Sequence, residues 1–95
     1  MRQGFVYMMT NRPHGVRYTG VTSDLSRRAY EHREGVIKGF NSRYSMIRLV
    51  CYETFPLVVD AIQREKNIKH WSRAWKIALI EKTNPDWKDL YETLA

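Results

Sequence analysis

The chain has 95 residues, of which 43% are apolar and 13% aromatic, with three Trp and six Tyr; this suffices for one packed domain over residues 1–95 and excludes a disordered segment. Sixteen Lys and Arg against ten Asp and Glu leave a formal charge of +6, which favours polyanionic partners, nucleic acid first. The lone Cys51 excludes an internal disulfide and a Cys/His zinc site. No run approaches the ~20 apolar residues of a membrane span, and no signal peptide is seen, so the expectation is a cytoplasmic protein off the membrane.

The first predicted element is a strand from Gln3 to Thr10, ended by the turn chemistry of Asn11-Arg12-Pro13-His14-Gly15. Val16 to Val21 reads as its hairpin partner. Ser23 and Asp24 supply N-cap chemistry for a helix over Leu25–Arg33 that ends near Gly35. A polar stretch through Asn41-Ser42 leads to a third strand, Met46–Glu53, in which Cys51 reads as a small buried hydrophobe. Thr54-Phe55-Pro56 then opens a second helix with Pro56 in its first turn, running to about Lys69. A third helix, roughly Ser72 to Lys82, stops before Asn84-Pro85. Trp87, Leu90 and Tyr91 are spaced to pack back as a short helical turn. The fold class is therefore α/β (α+β), a small three-stranded sheet in ββαβαα order flanked by helices. Trp71, Trp75 and Leu79, at i, i+4 and i+8, read as core. His14 and His70 read as surface residues without a role.

Two helices carry polar residues on their apolar faces. At about 100° per residue, Leu25 and Ala29 set the inner direction of the first helix; His32 falls beside Leu25 and Arg28 lies on the same side. Arg27 and Glu31 point nearly the opposite way, as solvated charges. In the second helix Val58, Ala61, Ile62 and Ile68 form the apolar stripe, Glu65 projects into its centre, and Lys69 follows at i+4. Inward charges are costly unless paired or bound to a ligand. Two readings follow: a buried Glu65–Arg28 ion pair joining the helices, or a pocket for phosphate and metal.

The chain resembles the GIY-YIG nuclease family. Phe5-Val6-Tyr7 stands for the first motif and Tyr18-Thr19-Gly20 for the second. Val21 through His32 resembles the family's arginine helix, with Arg28 ten positions after the second tyrosine. Ala61 through Lys69 resembles its metal-binding helix, with the acidic ligand at Glu65. Phe5 replaces the first glycine, Thr19 replaces an isoleucine, and Val21 stands where DNA-repair members have a lysine. Asn84 is only a loose match to the family's late asparagine, and turn chemistry before proline is the preferred account of it.

The resemblance implies an endonuclease that hydrolyses DNA phosphodiester bonds, in DNA repair or recombination. Glu65 would hold one divalent cation, Mg²⁺ or Mn²⁺; magnesium keeps several waters and needs only one or two carboxylates. Arg28 would grip the scissile phosphate through its planar fork. Tyr7 is the candidate general base, although a free phenol has a pKa near ~10 and needs activation. Tyr18 would position water or phosphate, and His32 would hydrogen-bond the tyrosine or the nucleophile. Arg43, Tyr44 and Lys69 are the expected substrate contacts. With no attached recognition module, weak specificity or a targeting protein partner is expected, for a monomer or weak dimer. The competing reading is a non-catalytic nucleic-acid-binding module that keeps the fold.

Overall fold

The computed structural model describes residues 2–35 and 46–94. Strands β1 (Gly4–Thr10), β2 (Arg17–Thr22) and β3 (Arg48–Phe55) form an antiparallel sheet in the order β2-β1-β3. Helix α1 (Leu25–Arg33) follows β2, and α2 (Val58–Lys69) and α3 (Arg73–Thr83) follow β3, before a 3₁₀ turn at Leu90–Leu94. The ββαβαα order expected from the sequence is the order observed.

The β1–β2 turn closes as its residues require. The Gly15 amide donates to the Arg12 carbonyl at 2.9 Å and the Val16 amide to Asn11 Oδ1 at 3.0 Å. The third strand is shifted from its expected bounds. Thr54 and Phe55 pair with Phe5 and Gly4, so they extend the sheet and do not open a helix. Open backbone groups on β1 provide the partners, and Phe55 packs against Val6, Ala61 and Ile68. Pro56 has no N–H to continue the ladder, and α2 begins only after Leu57. Leu57 caps that helix without a side-chain bond, and the Val58 amide is satisfied by the Arg2 carbonyl at 2.8 Å.

Alternation along β1 divides the core into two layers. Tyr7 and Met9 face α1 and pack with Leu25, Met46 and Leu49. Val6 faces the other way, against Ala61 and Ile68 of α2. Met8 shares that second layer with Val50, Cys51, Ile80 and Trp87. A Cβ on Gly4 would lie 2.7 Å from Val58 Cα and 2.8 Å from Ala61 Cβ, so glycine lets α2 sit directly on the sheet. Cys51 is a core thiol, and burial pushes its pKa up to about 11.

Two apolar expectations fail. Trp75 is 63% exposed and Ile62 37% exposed. The inner face of α3 is set by Ile80, and Trp75 lies about 140° around the helix from it. Its ring meets Trp71 edge-on at 5.9 Å instead of entering the core. Trp87 occupies the core place, 1% exposed, with its indole N–H donating to Glu81 Oε2 at 2.8 Å. Asn84 is buried as well. Its Nδ2 donates to the carbonyls of Val50 (3.0 Å) and Lys88 (2.9 Å), and its Oδ1 accepts from the Lys88 amide (3.0 Å). Asn84 thus joins the end of α3 to β3 and the tail. No described helix is long and apolar enough to cross a membrane.

Candidate active site

Tyr7 lies in the central strand, 1% exposed. Its partner across β2 is Gly20, where an added Cβ would sit 2.6 Å from Tyr7 Cζ and Oη and 2.9 Å from Tyr18 Cε2. Glycine is therefore what lets the two phenol rings fill the space over β2. Tyr18 pairs with Met9 on the same sheet face, and its ring is 6.1 Å from that of Tyr7. Helix α1 completes the cluster. Asp24 caps it, Oδ1 accepting from the Arg27 amide at 3.2 Å, and its buried residues are Leu25, Ala29 and His32. The His32 ring lies 5.6 Å from Tyr7 and 5.5 Å from Tyr18, with Nε2 3.2 Å from Tyr7 Oη. His32 Nδ1 is buried without a partner.

Protonation states follow from this geometry. Burial, with the Tyr18 phenol beside it, pushes the Tyr7 pKa well above the usual range, and the charge of Arg28 works against that rise. Tyr7 is a neutral phenol at physiological pH. Burial first, and Arg28 second, lower the His32 pKa to about 4, opposed by Glu31. The imidazole is neutral too. The Tyr7 hydroxyl donates to Nε2 in the tautomer with the ring proton on Nδ1, and Nε2–H donates to Tyr7 Oη in the other.

Arg28 is the less exposed of the adjacent arginines, at 40% against 76% for Arg27. Its Nε lies 3.2 Å from Glu31 Oε1, and Arg27 reaches the other oxygen at 3.5 Å. Glu31 is thus no solvated outward charge: long side chains fold back along the helix at i+3 and i+4, and Cα direction alone does not place their heads. Glu65 lies on the stripe between Ala61 and Ile68, 12% exposed, with Oε2 2.6 Å from Lys69 Nζ. The Glu65–Arg28 ion pair considered from the sequence is not formed; each charge is paired within its own helix.

Tyr7, Tyr18 and His32 are brought into contact, and the charge of Arg28 acts on Tyr7 and His32. Glu65 belongs to the layer on the opposite face of the sheet. Among the described residues no hydrogen bond or ion pair joins it to that cluster. Its partner Lys69 lines an open cleft with Arg17, Tyr18, Thr19 and Lys76, so the two layers meet at the β2 edge. Arg43 and Tyr44 lie outside the described residues. His14 pairs with Glu81 at 3.4 Å and stacks on Trp87, and His70 is an exposed C-cap of α2.

Among the described residues no three His, Cys, Asp or Glu cluster as a metal cage. The donor set at Glu65 is one carboxylate, which suits a cation that keeps most of its water and does not suit a zinc-type site. Sequence reasoning missed Gly20 as the gap that admits Tyr7, although a glycine inside a strand was a usable signal. It also missed Glu31 as the holder of Arg28, for which the helical wheel pointed the wrong way.

Residues 3–78 match the family model described as the GIY-YIG catalytic domain. A UPF0213 protein of Staphylococcus epidermidis is 34% identical over 86 residues, covering 86% of this chain and 99% of the relative. A UPF0213 protein of Halobacterium salinarum is 38% identical over 66 residues, covering 70% and 86% of the two chains. The solution NMR structure of a UPF0213 protein from Bacillus halodurans superposes with a TM-score of 0.57 at 29% identity, covering 92% of each chain.

Proposed function

Because the chain belongs to the GIY-YIG catalytic-domain family, a family of nucleases, we propose that it is a divalent-metal-dependent endonuclease hydrolysing DNA phosphodiester bonds. The observation that carries the reading is the Tyr7–His32 hydrogen bond at 3.2 Å between two buried neutral groups, under the charge of Arg28. Such a pair has a proton path ready without either group being ionised at rest. In the tautomer with the ring proton on Nδ1, Tyr7 receives a proton from the attacking water as its own hydroxyl proton passes to His32 Nε2. The charge of Arg28 favours the phenolate while the proton moves, and the same charge disfavours the imidazolium that the proton forms on His32.

Arg28 would exchange its contact with Glu31 for a bidentate grip on the scissile phosphate, where negative charge grows. Tyr18 would orient water or phosphate beside Tyr7. Glu65 would hold the hydrated Mg²⁺ or Mn²⁺, and Lys69 next to it would steady a phosphate oxygen. The bound cation would supply neutralisation of the charge building on the phosphoryl and leaving oxygens.

A binding-only reading draws on one observation: Arg28 and Glu65 are each neutralised by their own helix in the resting protein. A cleavage panel separates the two. Labelled single-stranded, double-stranded and branched DNA, and RNA, are incubated with Mg²⁺ or Mn²⁺. DNA cleavage is expected, falling at least roughly 100-fold in Arg28→Ala and Glu65→Ala, with circular dichroism and melting unchanged. Equal inertness of wild type and Glu65→Ala, with equal DNA binding, would establish the binding module instead.

A further inference from the structure

Cations gather along the β2 edge, Lys69 of the catalytic reading and three others that it does not use. Arg17 of β2, Lys69 at the end of α2 and Lys76 of α3 line one cleft with Tyr18 and Thr19. Arg73, one turn before Lys76, is close enough for its charge to depress the pKa of Arg17 alongside burial. Arg17 Nη1 reaches the Gly15 carbonyl at 3.4 Å, but its Nε is buried without a partner. Of these four, Lys69 is paired, with Glu65 at 2.6 Å; several arginines elsewhere are paired as well. Arg27 and Arg28 share Glu31, Arg33 holds Asp89 at 2.7 Å, and Arg64 holds Glu53 at 2.8 Å. Among the described residues no carboxylate pairs with Arg17, Arg73 or Lys76.

Bringing like charges from three elements together costs free energy in the free protein, and an anion filling the cleft offsets that cost. We infer that Arg17, Lys69, Arg73 and Lys76 form a track for the backbone phosphates of a nucleic acid, carrying the strand past Tyr18 to positions flanking the cut.

The inference rests on the reading of Tyr18 as phosphate-directed. A polyanion suits the place better than one small anion, because the charges are spread along an open cleft from β2 to α3. The track engages the backbone and not the bases. The exposed aromatic on α3, Trp75, lies about 100° around the helix from Lys76 and does not line the cleft. Contacts of this kind set position and affinity but not sequence preference.

The test is a metal-free binding titration, so that turnover plays no part. Fluorescence anisotropy of a labelled DNA duplex is followed at several salt concentrations, for wild type, Arg73→Gln/Lys76→Gln, Arg17→Gln and Lys82→Gln. Lys82, exposed on the other side of α3, is the charge-loss control. The double variant should bind roughly tenfold or more weakly, its log–log salt slope shallower by about 0.9 for each phosphate that is no longer neutralised. Arg73→Lys/Lys76→Arg, which keeps the charges, should restore both. Arg17→Gln should weaken binding in the same sense. If it misfolds, the α3 variants still decide the matter. A double variant indistinguishable from Lys82→Gln, or wild type that prefers polyglutamate to DNA, would overturn the track. Absence of cleavage by wild type would remove the nuclease reading and leave this measurement standing.

Discussion

Asn84 and His32 are both buried polar side chains, and they are treated in opposite ways. At the junction of α3, β3 and the tail, Asn84 commits its amide fully, with two carbonyls and one N–H as partners between 2.9 and 3.0 Å. In the α1 layer His32 makes one bond, to Tyr7, and leaves Nδ1 orphaned. A satisfied network fixes a shape. An incompletely satisfied ring that keeps a neutral, proton-accepting nitrogen against a phenol stores chemical capacity at a cost in stability. Burial alone does not distinguish these two side chains; the bonding left unspent does.

The largest effect expected from this contrast is on the Asn84 side. Asn84→Ala strands two carbonyls and an amide and should lower unfolding free energy by about 2–4 kcal/mol. Cleavage per folded molecule should stay at the wild-type rate. A urea titration paired with a cleavage assay checks it, and a loss of turnover with stability intact would erase the distinction. Gly20→Ala acts on the other region. With 2.6 Å available at Tyr7 Cζ and Oη, the phenol must move, costing about 1–3 kcal/mol and breaking its bond to His32. Proton NMR of the imidazole would register the break as a shifted titration.

The smallest effect is the pH dependence. His32 takes up a proton at about 4 in the folded chain and near ~6.5 when unfolded. Between those values the unfolded chain binds more protons, so stability is full above the higher value, falls as pH drops through the window, and levels off below the lower one. From pH 7 to 4.5 wild type should lose about 1–2 kcal/mol more than His32→Gln. Denaturant midpoints across that range measure it. Parallel curves for the two proteins would mean that His32 protonates freely in the folded state.

Much of the fold was legible because strong local signals agreed with the tertiary answer. Asp24 caps α1, Gly35 follows it at φ 69°, and Ser72 caps α3 just where the patterns place them. The start of α2 was misread because Thr54 and Phe55 find backbone partners on β1 that no local window shows. Trp75 was misread because Trp71 precedes α3, so the i, i+4, i+8 spacing is not one helical stripe; Trp71 and Leu79 pack against the core and Trp75 does not. In the site, Tyr7 and Tyr18 could be named from the family resemblance and His32 from the helical wheel. Their hydrogen bond, the gap at Gly20 and the diversion of Arg28 to Glu31 depend on side-chain heads, which periodicity does not locate. The cationic edge was invisible as a unit because Arg17 of β2 lies far along the chain from Lys69, Arg73 and Lys76, and only the fold brings it to them.

The order β2-β1-β3 gives the two phenols unequal freedom. Tyr7 rides on a strand bonded to neighbours along both sides and is released only when the sheet itself comes apart. Tyr18 rides on a border strand, with half its backbone amides facing away from any strand partner. On the proposed reading, a substrate strand would be met by one anchored hydroxyl and one that can yield, the 6.1 Å between their rings being easier to change from the border side.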